Sequence, residues 1–150
     1  MAVPKRSQRL KIVMDMIHRE EEQERKKLGE FRTLLQTAEA KIEQLVAYQR
    51  QYQDELRASH ATVQSIRHIQ TYHLFISRLG TAIEQQQQQT LLIRQRMDAQ
   101  TLVWQQVYQK CKNMEDYIER CRQEEQLDDD KKEQRSLDDE VNRRAFNKSL

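Results

Sequence analysis

Apolar residues recur along this chain in two stripes of helical spacing, one on each side of a short polar stretch near residue 60. Alternate steps of four and three from Leu10 land on Met14, Ile17, Glu21, Glu24, Leu28, Phe31, Leu35, Ala38, Ile42, Leu45, Gln49, Tyr52 and Leu56. Eleven of these 14 positions are apolar, in a chain that is only 37% hydrophobic. The same steps from Tyr72 reach Ile76, Leu79, Ile83, Gln86, Thr90, Ile93, Met97, Gln100, Trp104, Val107, Cys111, Met114, Ile118, Cys121 and Glu125, and 12 of those 16 are apolar. A repeat averaging about 3.5 residues draws one narrow seam along each helix, and such a seam is buried only against another helix. The pattern predicts an all-α protein, a long antiparallel two-helix coiled-coil hairpin.

The boundaries follow from local chemistry. Pro4 is tolerated in a first helical turn and little further in, so the first helix is placed at residues 5–58, about 80 Å long. The stretch Ser59-His60-Ala61-Thr62-Val63-Gln64-Ser65 is poor in helix formers and rich in capping residues, and is read as the turn, 59–65. Carried across it, the first series falls on His73 and Ser77, whereas the second falls on Tyr72 and Ile76. A turn accounts for this slip of one residue; a stammer in one continuous helix also would. The hairpin is preferred because an unbroken helix of this length exceeds about 200 Å. The second helix is placed at 66–125. Beyond Glu125 only Leu127, Leu137 and Val141 interrupt the charges, so 126–150 is expected to be a charged, frayed or disordered tail that could order on a partner.

The composition agrees with two solvated rods. Charged residues make up 33%, Gly and Pro together number three, and 22 residues are Gln. The five glutamines from Gln85 to Gln89 read as a solvated helix face. Gly29 and Gly80 each cost a helix up to about 1 kcal/mol relative to Ala, which suggests a close backbone approach, a bend, or simple tolerance. The net charge is +2, too near neutral to demand nucleic acid. It is uneven, however. Lys5, Arg6, Arg9 and Lys11 are basic, and residues 124–140 hold nine acidic and three basic side chains. In an antiparallel pair these blocks meet and favour that orientation, unless they are two independently solvated ends. No apolar run is long enough for a membrane span and no signal peptide is evident, so a cytoplasmic location is expected.

Catalytic and metal signatures are sparse. The two glycines lie 51 residues apart, so there is no glycine-rich phosphate loop. Cys111 and Cys121 both fall on the second seam, about 15 Å apart along one helix, and read as reduced, buried thiols. His18, His60, His68 and His73 form no i, i+4 pair, and only His60 and His68, near the turn, could share a metal in principle. A Cys–His dyad is not expected, because the cysteines lie on the far helix. No enzyme, cofactor or metal is predicted. The feature that exceeds a plain coiled coil is aromatic. Leu45, Tyr48 and Tyr52 make an i, i+3, i+7 stripe, and Phe75, Leu79 and Ala82 make another, with Tyr48 and Phe75 one residue off their seams. Side by side at the turn end they form either a protein interface or a thicker core.

The run A-E-A-K-I-E-Q-L-V-A-Y-Q-R-Q-Y (38–52), followed by Y-H-L-F-I-S-R-L-G-T-A-I-E-Q (72–85), resembles the flagellar export protein FliJ family. L-G-E-F at 28–31 is also similar, and the likeness spans roughly residues 10 to 105. Lys41 and Gln86 depart from the family pattern. The resemblance implies an antiparallel hairpin similar to the central stalk of rotary ATPases. It further implies a non-enzymatic stalk in the flagellar type III export ATPase ring, which promotes ring assembly, links the ring to the membrane export gate and escorts export chaperones. The partners implied are the export ATPase, the cytoplasmic domain of the gate and the chaperones, at the cytoplasmic face of the inner membrane, without nucleic acid or membrane insertion. Carried to this sequence, the gate-binding patch is Leu45, Tyr48, Tyr52, Phe75, Leu79 and Ala82. The alternatives are a virulence-system stalk, a nucleic-acid-binding coiled coil, or a homodimer of single long helices.

Overall fold

The computed structural model describes residues 3–60 and 66–150. It contains two helices, α1 (Arg6–His60) and α2 (Ile66–Lys148), which pack against each other as an all-α hairpin. Residues 61–65, the greater part of the turn expected at 59–65, lie outside the described residues; Ser59 and His60 close α1. The paired helices divide into two units, one formed by Met1–Gln23 with Gln105–Leu150, the other by Glu24–Trp104.

Every seam position named above is buried or half-buried, including the polar ones. The same spacing extends one step further to Ser7, Ser59 and Ile69, which are also withdrawn from solvent. No large side chain among the described residues is completely buried, as expected where two helices face each other along a strip and nothing closes the flanks.

In the first unit Met14, Ile17, Cys111 and Ile118 form the core, with Leu10 and Met114 packed against it. Its charged margins close in antiparallel register. Lys5 pairs with Asp129, and Lys110 reaches Glu20 at 3.4 Å. The first turn of α1 leaves backbone N–H groups without intrahelical partners, and the Glu125 carboxylate accepts from the Ser7 N–H at 3.0 Å and from its hydroxyl at 2.6 Å. These bonds hold the Glu125 carboxyl below its usual range, and Lys5 does the same for Asp129. One member of the basic block, Lys5, therefore meets the acidic block as the antiparallel reading expects. Arg6 instead lies over the Tyr117 ring, 5.3 Å from its centroid.

In the second unit the polar seam members reach across to the opposing helix. Gln100 Nε2 donates to the Glu24 carbonyl at 3.1 Å and also to the Glu24 carboxylate, and Gln49 Nε2 donates to the Ile76 carbonyl at 3.4 Å. Arg94 pairs with Glu39 at 2.7 Å. The buried Thr90 hydroxyl donates back to the Gln86 carbonyl at 2.8 Å, so the seam accommodates it without an unpaired group. Neither glycine marks a close backbone approach. A Cβ on Gly29 would meet nothing within 4 Å, and one on Gly80 would meet only the tip of Gln49, at 3.4 Å.

The tail differs from expectation in backbone though not in burial. Residues 126–148 continue α2 as helix, and every side chain from 126 to 150 is exposed. Glu, Gln, Lys and Arg are good helix formers, and i, i+4 contacts such as Gln126–Asp130 and Glu140–Arg144 add local support. Helix formation needs no seam; burial does.

Candidate protein-binding surface

Four aromatic rings gather between α1 and α2 in the second unit. Tyr52 stacks on Phe75, with 5.7 Å between centroids and planes 6° apart, and it meets Tyr72 at 6.0 Å in a tilted arrangement. His68 completes the row by packing edge-on against Tyr72 at 4.9 Å. The antiparallel seam explains the encounter: Tyr52 and Tyr72 are seam positions of opposite helices, and Phe75 lies three residues, one helical turn, beyond Tyr72. Burial, and then the nearby Glu55 carboxylate, push the Tyr72 hydroxyl above its usual value.

The six residues of the expected patch divide by exposure. Leu45, Tyr52, Leu79 and Ala82 are half-buried, whereas Tyr48 and Phe75 are each 45% exposed. Tyr48 is held on the α1 surface by Gln44, whose amide donates to its hydroxyl at 3.1 Å. Val46 and Leu74 add further exposed apolar surface to the same stretches of helix. Sequence reasoning passed over these two, and also the His68 contact, because none belongs to a seam. The surface thus has two half-buried rings, Tyr52 and Tyr72, flanked by the exposed rings of Phe75 and His68, apolar bodies mostly carrying polar tips, a composition that suits contact with another protein. Of the histidine pair considered for a metal, His68 is engaged with Tyr72, and the His60 side chain lies outside the described residues.

One expectation is overturned in the first unit. A Cys–His dyad is not predicted from the sequence, yet the structure sets His18 Nδ1 3.4 Å from Cys111 Sγ. The antiparallel register brings position 18, next to seam residue Ile17, opposite position 111. Glu115 lies one turn along from Cys111, its carboxylate 3.7 Å from His18 Nε2. Burial, followed by the Glu115 and Glu21 carboxylates, pushes the Cys111 thiol above its usual value and away from nucleophilic reactivity. Cys111 and Cys121 are both buried free thiols, as expected for seam cysteines.

The family described as "Flagellar FliJ protein" matches residues 6–150. The chain belongs to this family. The match covers the resembling segments and extends past them through the exposed end of α2. Neither a curated protein nor a solved structure matches the chain. Membership in the flagellar FliJ family makes the protein a component related to flagellar protein export, of a non-catalytic kind. No helix among the described residues is long and apolar enough to cross a membrane.

Proposed function

We propose that this FliJ-family protein serves as the stalk of the flagellar type III export ATPase. In this reading it promotes assembly of the ATPase ring, connects the ring to the cytoplasmic domain of the export gate and escorts export chaperones, working at the cytoplasmic face of the inner membrane. The observation that carries the reading is the pair of half-exposed rings, Tyr48 and Phe75, fixed on two facing helices whose seam is otherwise closed. A coiled coil with no partner has no use for them there, since burying them would extend its own seam and stabilise it. Tyr52 holds the Phe75 ring and Gln44 the Tyr48 hydroxyl, Leu45, Leu79 and Ala82 complete the surface, and the gate is its partner. Export substrates pass through the gate while the chain itself performs no chemistry.

The test is ATP hydrolysis by the matching export ATPase with and without this chain, together with ring assembly observed directly. Stimulated hydrolysis accompanied by ring formation is expected. No effect at saturating concentration rejects the stalk role.

A further inference from the structure

Among the described residues one group of His, Cys and acidic side chains has ligand atoms that all lie within 4.8 Å of one another: His18, Cys111 and Glu115, in the first unit. We propose that these three residues form a binding site for a borderline-soft divalent cation of the zinc type. The site is separate from the aromatic surface and does not depend on the stalk reading.

The donor set selects the ion. A thiolate, an imidazole and a carboxylate suit zinc or its cobalt substitute, whereas calcium and magnesium call for oxygen ligands only. The spacing fits as well. Bonds of ~2.0–2.3 Å from a tetrahedral zinc hold its donor atoms about 3.4–3.6 Å apart. Cys111 Sγ lies 3.4 Å from His18 Nδ1 and 3.8 Å from Glu115 Oε1, close to those spacings, and side-chain rotation brings the three donors onto one ion. Lys112 engages the other carboxylate oxygen, Oε2, at 3.5 Å, which leaves Oε1 directed at the sulfur.

Access and charge also favour a cation. The His18 and Glu115 side chains are 48% and 40% exposed and give entry from solvent, while Cys111 is buried at the back. Glu21, on the seam three residues from His18, adds a second carboxylate close enough to act on the thiol electrostatically. As the metal–sulfur bond forms, the thiol proton leaves to solvent, and no electron is transferred. Three protein ligands leave a fourth position for water, and the ligands come from both helices, so the bound ion cross-links α1 to α2.

The experiment is titration of the purified, chelator-treated full chain with Co2+, followed by the near-ultraviolet thiolate-to-cobalt band, with Zn2+ competition and thermal melts in parallel. The wild type is expected to develop the band, to lose it to zinc and to melt higher with zinc present. Cys111→Ser should abolish the band, and His18→Ala should weaken binding about tenfold or more. Cys121→Ser, which removes the other seam thiol, should bind like wild type. Circular dichroism confirms that each variant is helical. Absence of the band in the wild type overturns the proposal. A band that survives Cys111→Ser, disappears in Cys121→Ser, or is indifferent to His18→Ala overturns it equally.

Discussion

Tyr52 and Phe75, on opposite helices, lie almost parallel with 5.7 Å between ring centroids. The contact gives Phe75 two roles on two faces: one face of the ring completes the aromatic row, and the remainder, 45% exposed overall, is open to a partner. Phe75→Ala is therefore expected to weaken binding of the gate cytoplasmic domain by about 2 kcal/mol while leaving helicity intact. Calorimetric titration of the variant against the isolated gate domain measures this, and unchanged affinity would remove Phe75 from the binding surface.

Tyr52 touches both Phe75 and Tyr72, whereas Tyr48, 45% exposed, accepts a hydrogen bond from Gln44 and has no ring partner among the described residues. Their truncations should separate stability from binding. Tyr52→Ala is expected to destabilise the hairpin by about 1–2 kcal/mol through lost ring contacts. Tyr48→Ala should stay within about 0.5 kcal/mol of wild type, as surface substitutions do, and act on partner affinity instead. Urea unfolding of the two variants side by side distinguishes them.

Neither glycine is required by its surroundings. A Cβ at Gly29 meets open space, so Gly29→Ala is expected to raise stability by about 0.5–1 kcal/mol, chiefly by restricting the unfolded chain. Gly80→Ala should gain nearly as much, because the only neighbour of its new methyl is the flexible end of Gln49. A higher melting temperature in both variants is the expected result. A lower one at position 80 would mean that the Gln49 bond to the Ile76 carbonyl had been lost.

The charged margin of the first unit gives the hairpin a pH dependence of definite sign. Glu125 and Asp129 are held below their ordinary values of 4.5 and 3.8, so their contribution is present above those values and is lost as pH falls through the lower folded values. Lys5 is raised above 10.5, so its contribution is present below that value and is lost as pH rises through the higher folded one. Lys5 and Asp129 are exposed and Glu125 is half-buried, so salt should shrink both effects, least for Glu125. Melts across pH should show Glu125→Gln, whose single amide oxygen can keep one of the two bonds from Ser7, losing part of the acid-side dependence.

The seams were legible in the sequence down to single positions, because a period of about 3.5 residues leaves few ways to arrange an apolar stripe. Even Glu21, Glu24, Gln49, Gln86, Thr90 and Gln100, polar residues placed on the stripes by spacing alone, are withdrawn from solvent. What periodicity does not supply is axial register, meaning which residue of α1 faces which residue of α2. The His18–Cys111 contact depends wholly on register and was missed for that reason. The helical backbone of 126–148 was missed for another: the sequence reading took the end of the apolar stripe as the end of the helix. The aromatic row was half legible, since Tyr48, Tyr52, Tyr72 and Phe75 were seen to gather near the turn, while the partners of each ring followed only from facing helices.

The glutamine bonds across the second unit bear on how such a hairpin could carry a load. Apolar side chains tolerate sliding, because one leucine replaces another when two helices shift by a repeat. Gln100 and Gln49 do not, since each donates to one particular carbonyl of the opposing helix, that of Glu24 and that of Ile76. Displacing either helix along its axis would break both bonds and strand amides on a half-buried seam. The glutamines thus act as teeth that mesh in a single position, so a push applied to one helix would move the other instead of slipping past it.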